Sequence, residues 1–482
     1  MKPLHICIYA FSSTAVFFRA LIEECAKHGD NVEWSVIYPQ GHFRHVMDDI
    51  IPPERQCYLY EDFARAYREC GEVDIQRAMA SGEGLQTALL KDKAGYRFLE
   101  GDEQLRRGAT IDSCYRRFLS RIKPDFVLFP DLEVVDGFIL MNIAQELGLG
   151  VLYYAVMRIS GGGYFSTDPY ESLPPYFGSY TVDDLSRAGQ IIQNFHNGGP
   201  LTLGSTYSPV IPPKPSWLRR LVLTTWLRWK YEGLHATEET LLMRIKRNTR
   251  PLMAKLRLAR FNLTQTHYFK IRSVRDSLPE KYILYLLHVT PESSINGLGP
   301  YYVDQFRSVD ALLLGLPKGH RLVVKEHPAM CGSRRSSFYR ELKRRPGVIM
   351  VAPAVDSRHL VKHCSVVATV SGTVGLEAFL LGKPCLSFGL SFYSHLCQKP
   401  PAVDDLKTVL TDLATRWKPA SETQKEIEFA KFLNISGNFT ISDPWLIPRV
   451  MAPGNLAAVR EYLWLHLRRL KEFGNSQRTL AQ

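Results

Sequence analysis

Short apolar runs alternate with helical patterns in two separate series along this chain of 482 residues. In the first series the runs are His5–Tyr9, Val32–Tyr38, Phe126–Pro130 and Val151–Val156, and helical segments such as Gly137–Leu147 lie between them. Because such alternation is typical of a parallel sheet covered by helices, it predicts an α/β domain. A chain of this length exceeds what one hydrophobic core usually absorbs, so two domains are expected.

The second series of apolar runs predicts a second doubly wound α/β domain, followed by a mostly helical tail. Its runs are Tyr282–His288, Arg321–Lys325, Val348–Val351, Ser365–Val370 and Pro384–Phe388. Between the two series, residues 198–217 are rich in Gly, Pro, Ser and Thr, which indicates a linker. The predicted division is 1–197 for the first domain, 198–278 for the linker and a basic helical insertion, 279–410 for the second domain and 411–482 for the C-terminal helices.

The positive charge of the chain is concentrated in one segment. Between Lys214 and Arg275, 15 Lys and Arg face three acidic residues, an excess equal to the whole formal net charge of +12. Basic residues beside Trp and Leu suit an anionic membrane surface, because Trp favours the interface and cations attract acidic lipids. The residues expected to contact that membrane are Trp217, Arg219, Arg220, Trp226, Arg228, Trp229 and Lys230. A solvated helical face is the structural alternative, and no zinc-finger, RNP-like or helix-turn-helix signature supports nucleic-acid binding.

Nine cysteines are spread along the chain without a CxxC pair. This pattern argues against a zinc site and a disulfide framework, and it favours a reducing compartment. No apolar run reaches the roughly 18 residues of a membrane-spanning helix. The protein is therefore expected to be soluble or peripheral.

The sharpest local motif is VSGTVGLEA, from Val370 to Ala378, between a predicted strand and a predicted helix. Free N–H groups at a helix start, together with hydroxyl groups and the helix dipole, favour phosphate binding. The phosphate-binding candidates are Ser371, Gly372, Thr373 and Gly375. Glu377, in the first helical turn, is placed to hydrogen-bond the hydroxyl groups of a ribose. An ordinary strand-to-helix turn capped by Ser or Thr is the alternative explanation.

The run VVKEHP, from Val323 to Pro328, ends a strand with a cation, an acid and an imidazole. Lys325 and His327 are both suited to contact a phosphate, and His327 is suited to protonate a leaving phosphate because its reference pKa is near neutrality. A structural histidine at a strand end is the alternative. This motif and the glycine-containing turn both fall at strand carboxyl ends, where α/β folds bind ligands.

The third candidate motif is LLHVTPESSI, from Leu286 to Ile295, which leaves the first strand of the second domain. Its Glu292 suits a general base or a carboxylate nucleophile. A Pro-Glu turn that caps a helix is the structural alternative. This loop also brings Gly and Pro residues that allow close approach to a ligand.

The first domain offers further polar residues at strand ends. Glu133 and Asp136 precede a helix and are expected to orient acceptor hydroxyls or to act as a base, although helix N-termini attract acidic residues for capping alone. Ser12 and Ser13 end the first strand and are expected to face the same cleft. The glycine-rich segment Ser160–Ser166 is expected to be a flexible loop.

Five motifs in fixed order resemble those of one family. They are LHVTPESS (Leu287–Ser294), KEHP (Lys325–Pro328), SGTVGLEA (Ser371–Ala378), GKP (Gly382–Pro384) and FGLSFY (Phe388–Tyr393). Over residues 282–393 the chain resembles the capsule polysaccharide synthesis family of bacterial glycosyltransferases. The resemblance implies the GT-B fold, in which two Rossmann-like domains face a cleft and the second domain holds a nucleotide-sugar donor. Some members are retaining β-Kdo transferases, which use CMP-Kdo.

The resemblance also implies roles for single residues. It assigns donor and nucleotide contacts to His327, Ser371, Gly372, Thr373 and Glu377. Where the Kdo transferases carry a Gln and a downstream catalytic Asp, this chain has His288 and Glu292, so His288 is expected at the cleft and the donor need not be CMP-Kdo. If the linkage is retained, Glu292 is the nucleophile; if it is inverted, Glu292 or Glu133 deprotonates the acceptor hydroxyl.

The implied function is transfer of a sugar to a growing capsule or lipopolysaccharide glycan. The implied partners are the nucleotide sugar, a lipid-linked or oligosaccharide acceptor, the membrane and other capsule-synthesis proteins, at the inner face of the cytoplasmic membrane. Because no DxD-like motif occurs in a convincing context, no metal or other cofactor is expected. The alternatives are a GT-B-fold nucleotide-sugar epimerase and a non-catalytic basic protein that binds a membrane or nucleic acid.

Overall fold

The chain forms two compact units, each built on one sheet. The computed structural model describes residues 2–40, 43, 45–92, 99–132, 134–159, 161–201, 258–290, 292–445 and 447–480. Unit 1 comprises Met1–His235 and Glu426–Gln482, and unit 2 comprises Ala236–Lys425. The expected pair of Rossmann-like α/β domains is confirmed by the strand orders of the two sheets.

Six strands form the sheet of unit 1. They are β1 (Leu4–Tyr9), β2 (Val32–Tyr38), β3 (Gln56–Tyr58), β4 (Phe126–Phe129), β5 (Gly150–Met157) and β6 (Gly162–Ser166). Their order is β3-β2-β1-β4-β5-β6, and all neighbours are parallel except β5 and β6. The topology reverses between β1 and β4, the position at which open α/β sheets bind ligands.

Helices cover the sheet of unit 1 with apolar faces. The helix Thr14–Lys27, for example, buries Phe17, Phe18, Leu21 and Cys25, whose spacing places them on one helical face. The other helices that precede residue 201 are Leu59–Glu69, Glu72–Ala80, Leu85–Lys91, Gly101–Ile122, Val135–Glu146 and Val182–His196. The C-terminal helices are Glu422–Ile435 and Pro453–Leu480, of which the second packs against Thr14–Lys27.

The segment Ser160–Ser166 was expected to be a flexible loop, and that expectation is wrong. All five residues of β6 are buried, and β6 pairs antiparallel with β5. A Cβ on Gly162 would lie only 1.8 Å from the carbonyl oxygen of Gly437, and the Gly163 N–H donates to that oxygen at 3.1 Å. The glycines therefore permit close contact between backbones rather than flexibility.

Five parallel strands form the sheet of unit 2. They are β7 (Tyr282–Leu286), β8 (Arg321–Lys325), β9 (Val348–Val351), β10 (Val366–Thr369) and β11 (Cys385–Ser387). Their order is β11-β10-β7-β8-β9, so the topology reverses between β7 and β10. Ile283, Leu284, Val323 and Val367 have no exposed surface, as expected for a parallel sheet that is covered on both faces.

The helices of unit 2 supply the layers on both sides of this sheet. Besides the helical residues 258–268, the described helices are Ser293–Asn296, Phe306–Leu314, Ser336–Arg344, Ser357–His363, Val374–Leu380 and Leu406–Arg416. Leu312, Leu342 and Leu360 each come from a different helix and are fully buried in one core with the strands. Burial of a Leu side chain contributes about 1.5–3 kcal/mol, so these contacts hold the helices against the sheet.

Within the described ranges, no helix has the length and apolar character needed to cross a bilayer. Of the basic segment, the structure describes residues 258–275, and residues 258–268 are helical. The seven residues predicted to contact a membrane all lie outside the described residues; they are Trp217, Arg219, Arg220, Trp226, Arg228, Trp229 and Lys230.

Candidate functional site

The loops that follow β7, β8 and β10 meet at the carboxyl edge of the unit 2 sheet. β10, β7 and β8 are consecutive neighbours in that sheet, so their C-terminal loops lie side by side. These loops carry His288 and Glu292, then His327, and then the turn Ser371–Gly375. The structure therefore brings the three sequence motifs together at the point where the topology reverses.

Hydrogen bonds link Glu292 to the turn after β10. Ser294 Oγ donates to Glu292 Oε2 at 2.8 Å, and Ser371 Oγ donates to the carbonyl oxygen of Ser294 at 2.7 Å. Ser371 is buried, so its hydroxyl ties the two loops together from within. The partly buried carboxylate of Glu292 is thereby held at the sheet edge beside the turn.

His327 caps the short 3₁₀ turn after β8. Its Nδ1 accepts a hydrogen bond from the Ala329 N–H at 3.2 Å, so the neutral ring carries its proton on Nε2. Burial lowers the pKa of His327; the Glu292 charge opposes this shift, and the Lys325 and Arg334 charges add to it. The ring is therefore neutral at neutral pH and has an Nε2–H donor for an anion.

Two buried charged residues precede His327 at the end of β8. Lys325 Nζ donates to the carbonyl oxygen of Pro353 at 3.1 Å, and burial lowers the Lys325 pKa. Glu326 is 1% exposed and accepts a hydrogen bond from Arg334 Nε at 2.9 Å. Burial raises the pKa of Glu326, and the Arg334 guanidinium opposes that shift. Both charged groups lie inside the fold, where the low dielectric strengthens their electrostatic interactions with nearby groups.

His288 is buried in a network of groups from other parts of unit 2. Its Nε2 accepts a hydrogen bond from the Val370 N–H at 3.0 Å. Gln305 accepts from the His288 N–H at 2.7 Å and donates to the His288 carbonyl oxygen at 3.0 Å. Arg334 donates to the same carbonyl oxygen. His288 therefore fixes the loop after β7 against the end of β10.

Close packing accounts for Gly372 and Gly375 in the turn. A Cβ on Gly372 would lie 2.9 Å from Thr369 Oγ1, which accepts the Gly372 N–H at 3.0 Å. A Cβ on Gly375 would lie 2.7 Å from the ring of Tyr393, whose hydroxyl donates to the Gly372 carbonyl oxygen. The N–H groups of Gly375 and Leu376 donate to the carbonyl oxygens of Gly372 and Thr373 at 3.1 and 3.0 Å. The N–H groups of the exposed Thr373 and of the next residue, at the start of the helix, are therefore the ones suited to an anion.

Glu377 lies on the helix that follows the turn, close to Asp356 and Arg358. Burial raises the pKa of its carboxyl to about 7; the charge of Arg358 opposes the shift and that of Asp356 adds to it. The carboxyl therefore exists in both protonated and ionised forms near neutral pH. Either form can hydrogen-bond a hydroxyl group.

We expect Glu377→Gln to stabilise the protein at about pH 8 and to have a smaller effect at about pH 5. Because the folded-state pKa lies above the reference value of 4.5, the folded state binds more protons between these two pKa values, and stability falls as the pH rises through that window. The neutral amide avoids this loss. Thermal unfolding midpoints of the wild type and the variant at the two pH values measure the difference in stability. An equal shift at both pH values would contradict ionisation of Glu377 as its cause.

In unit 1 the predicted residues lie at the carboxyl ends of β1 and β4. Ser12 has a φ of 54°, and the Ser13 hydroxyl donates to Asp443. Asp136 Oδ2 accepts a hydrogen bond from the Tyr9 hydroxyl at 2.8 Å, and burial raises the Asp136 pKa to about 6. The Ser13 and Asp136 side chains thus have partners within the unit. The other predicted residue of this group, Glu133, lies outside the described residues.

Sequence motifs do not identify all the residues that organise the unit 2 site. Gln305 and Arg334 lie 17 and 46 residues from the His288 backbone that they hold. Tyr339, whose hydroxyl donates to Glu326 at 2.9 Å, lies 13 residues from Glu326 and also belongs to no motif. The one local signal is a polar Gln305 directly before the apolar helix Phe306–Leu314.

Comparison with known protein families identifies the part of the chain that contains the site. Residues 240–397 match the family described as "Capsule polysaccharide biosynthesis protein". The resemblance of this part of the chain to that family is confirmed. The match contains the loops after β7, β8 and β10, and hence all three motifs of the site. No curated protein matches the chain.

Several solved structures are similar to the chain at low sequence identity. The β Kdo 2,4 transferase of Thermosulfurimonas dismutans KpsC is 16% identical, with 70% of this chain and 87% of that chain covered and a TM-score of 0.37. The β Kdo 2,7 transferase of the same KpsC is 12% identical, with 66% and 80% covered and a TM-score of 0.33. A UDP-GlcNAc 2-epimerase from Methanocaldococcus jannaschii is 11% identical, with 89% and 98% covered and a TM-score of 0.26.

Proposed function

We propose that the chain is a glycosyltransferase of bacterial surface polysaccharide, and that unit 2 binds its nucleotide-sugar donor. The observation that carries this proposal is the hydrogen-bonded link from Glu292 through Ser294 to Ser371. This link holds a carboxylate beside a turn that is suited to phosphate. The charge of the same carboxylate acts on His327 and favours the protonated form of its ring. The family match over residues 240–397 supports the same function.

In this proposal the donor phosphate lies between His327 and the turn after β10. The Nε2–H of His327 donates to a phosphate oxygen, and the N–H groups of Thr373 and the following residue donate to the others. Lys325 contributes positive potential from within the fold. Glu377 receives the ribose hydroxyls. These groups together stabilise the charge that develops on the departing nucleotide phosphate.

Glu292 is the proposed reacting carboxylate. During transfer, the bond between the anomeric carbon and the phosphate oxygen breaks, and the nucleotide leaves with the bonding electrons. If the product retains the anomeric configuration, Glu292 forms the bond to the anomeric carbon first and the acceptor hydroxyl then displaces it. If the product is inverted, Glu292 takes the proton from the attacking hydroxyl. The anomeric configuration of the product distinguishes these roles.

We also propose a donor, an acceptor and a location for this enzyme. A CMP-linked sugar of the Kdo type is the favoured donor, because the motifs resemble those of Kdo transferases. The acceptor is a growing capsule or lipopolysaccharide glycan, lipid-linked and reached at the inner face of the cytoplasmic membrane. Asp136 in unit 1 is the proposed acceptor contact. The Lys325 charge, the His327 Nε2–H and backbone N–H groups, rather than a metal, stabilise the leaving phosphate.

The proposal predicts that nucleotide binding depends on His327. We expect one of CMP, UDP, GDP or ADP to bind the full chain, and His327→Ala to weaken that nucleotide by about tenfold or more, because a charge-assisted hydrogen bond is lost. Isothermal titration calorimetry measures this. His363→Ala, at an exposed histidine of the helix Ser357–His363, is the matched control and should bind as wild type does. Absence of binding by all four nucleotides, or equal affinities in the two variants, would contradict the proposal.

A further inference from the structure

Unit 2 contains a cavity whose lining residues do not include Glu292, His327 or the turn after β10. It has a volume of about 500 Å³ and lies between the helical residues 258–268 and the segment 332–340. A volume of this size is within the range of small-molecule sites. None of the three sequence motifs contributes to its wall.

Four arginines line this cavity, and within the described residues only Arg334 among them has a carboxylate partner. Arg260, Arg335 and Arg340 line it and are exposed, and neither Asp nor Glu is among the lining residues. Hydroxyl groups of Ser336 and Ser337 provide further hydrogen-bond donors. Clustered guanidinium groups repel one another unless an anion lies between them, so the cavity is suited to an anionic ligand.

The three exposed arginines differ from Arg334 of the same wall and from the nearby Arg345, which are both paired. Arg345 forms an ion pair with Asp310 at 2.5 Å, and Arg334 forms one with Glu326 at 2.9 Å. In the parts of the chain that the structure describes, Arg260, Arg335 and Arg340 have no carboxylate within ion-pair distance. Their guanidinium groups are therefore free to contact a ligand from outside the chain.

We propose that this cavity binds a phosphate-bearing ligand of about the size of a pyrophosphate or a sugar phosphate. The fork of a guanidinium matches phosphate oxygens in bidentate pairs, and three such groups balance more than one negative charge. The ring of Tyr268 and the buried Phe261 in the same wall provide an apolar surface for the remainder of the ligand. The arginines proposed to bind this ligand are not among the residues proposed to bind the donor.

Pyrophosphate is the soluble probe for this site, and vesicles that contain phosphatidylglycerol are the lipid probe. All variants are prepared as full chains in the His327→Ala background, which weakens the proposed donor site. The pocket variant adds Arg335→Ala and Arg340→Ala, and a second variant adds Arg260→Ala from the opposite wall. The matched control adds Arg344→Ala and Lys407→Ala, two exposed cations of unit 2 that do not line the cavity.

Calorimetry should show that both pocket variants bind pyrophosphate about tenfold more weakly than the background, and that the control stays within about twofold. A selective loss of vesicle binding in the pocket variants also supports the site and identifies the ligand as a lipid headgroup. Equal losses in the pocket and control variants, or no loss in the pocket variants with either probe, would overturn the proposal. Thermal unfolding checks that every variant is folded.

Discussion

Glu292→Gln is expected to lower sugar transfer by about a thousandfold or more and to leave nucleotide binding within about twofold. The amide has nearly the same shape as the carboxylate and keeps an oxygen that accepts from Ser294 Oγ, so the loop stays tied to Ser371. An amide, however, neither attacks an anomeric carbon nor takes a proton from an acceptor hydroxyl. Transfer of a labelled sugar and calorimetry with the nucleotide measure the two effects separately.

Glu280→Gln is the matched control for this prediction. Glu280 is an exposed carboxylate that precedes β7 in the same unit. Its substitution removes the same charge from the same part of the chain without touching the site. Unchanged turnover in Glu292→Gln, or an equal loss in both variants, would remove Glu292 from the chemistry.

Arg334→Met is expected to lower the free energy of unfolding by about 3–5 kcal/mol, because it leaves a buried carboxylate without its partner. Glu326 has no exposed side-chain surface, and the Arg334 side chain is only 8% exposed. The same substitution also removes the hydrogen bond from Arg334 to the His288 carbonyl oxygen. Urea unfolding, monitored by fluorescence and far-UV circular dichroism, measures the loss.

Two further variants test the cause of that loss. Arg345→Met breaks a more exposed ion pair with Asp310 and should cost about 0–1 kcal/mol. Glu326→Gln combined with Arg334→Met should recover much of the stability, because the buried charge is removed and the amide oxygen still accepts from Tyr339. A loss in Arg334→Met no larger than in Arg345→Met would contradict the assignment of a buried ion pair.

Strands with continuous β-branched runs could be predicted well from the sequence. β8 and β9 have the predicted bounds, and Val323, Val324 and Val351 in them are buried, as expected for strands of a covered parallel sheet. β6 could not be predicted, because its stability comes from backbone contact with Gly437 and from pairing with β5. A glycine-rich segment is predicted as a loop from its local sequence. Here the tertiary contact with Gly437 stabilises a strand instead.

Only the part of the candidate site that lies in short local motifs could be predicted from the sequence. Glu292, His327 and the turn Ser371–Gly375 each follow a strand within a short motif, and parallel strands bring their carboxyl ends to one edge. The groups that hold them, Gln305 and Arg334, act across long sequence separations and belong to no motif. The sequence also predicted a hydroxyl of Ser371 for a ligand, whereas in the structure this hydroxyl binds the Ser294 carbonyl oxygen.

A structure of the full chain with its donor nucleotide tests the central proposal most directly. The nucleotide is the one that binds in the calorimetric comparison. We predict that its phosphate lies at the carboxyl edge of the unit 2 sheet, within hydrogen-bond distance of His327 Nε2 and of the Thr373 backbone. A nucleotide bound in unit 2 away from this edge, or bound only to unit 1, would contradict the proposed donor site.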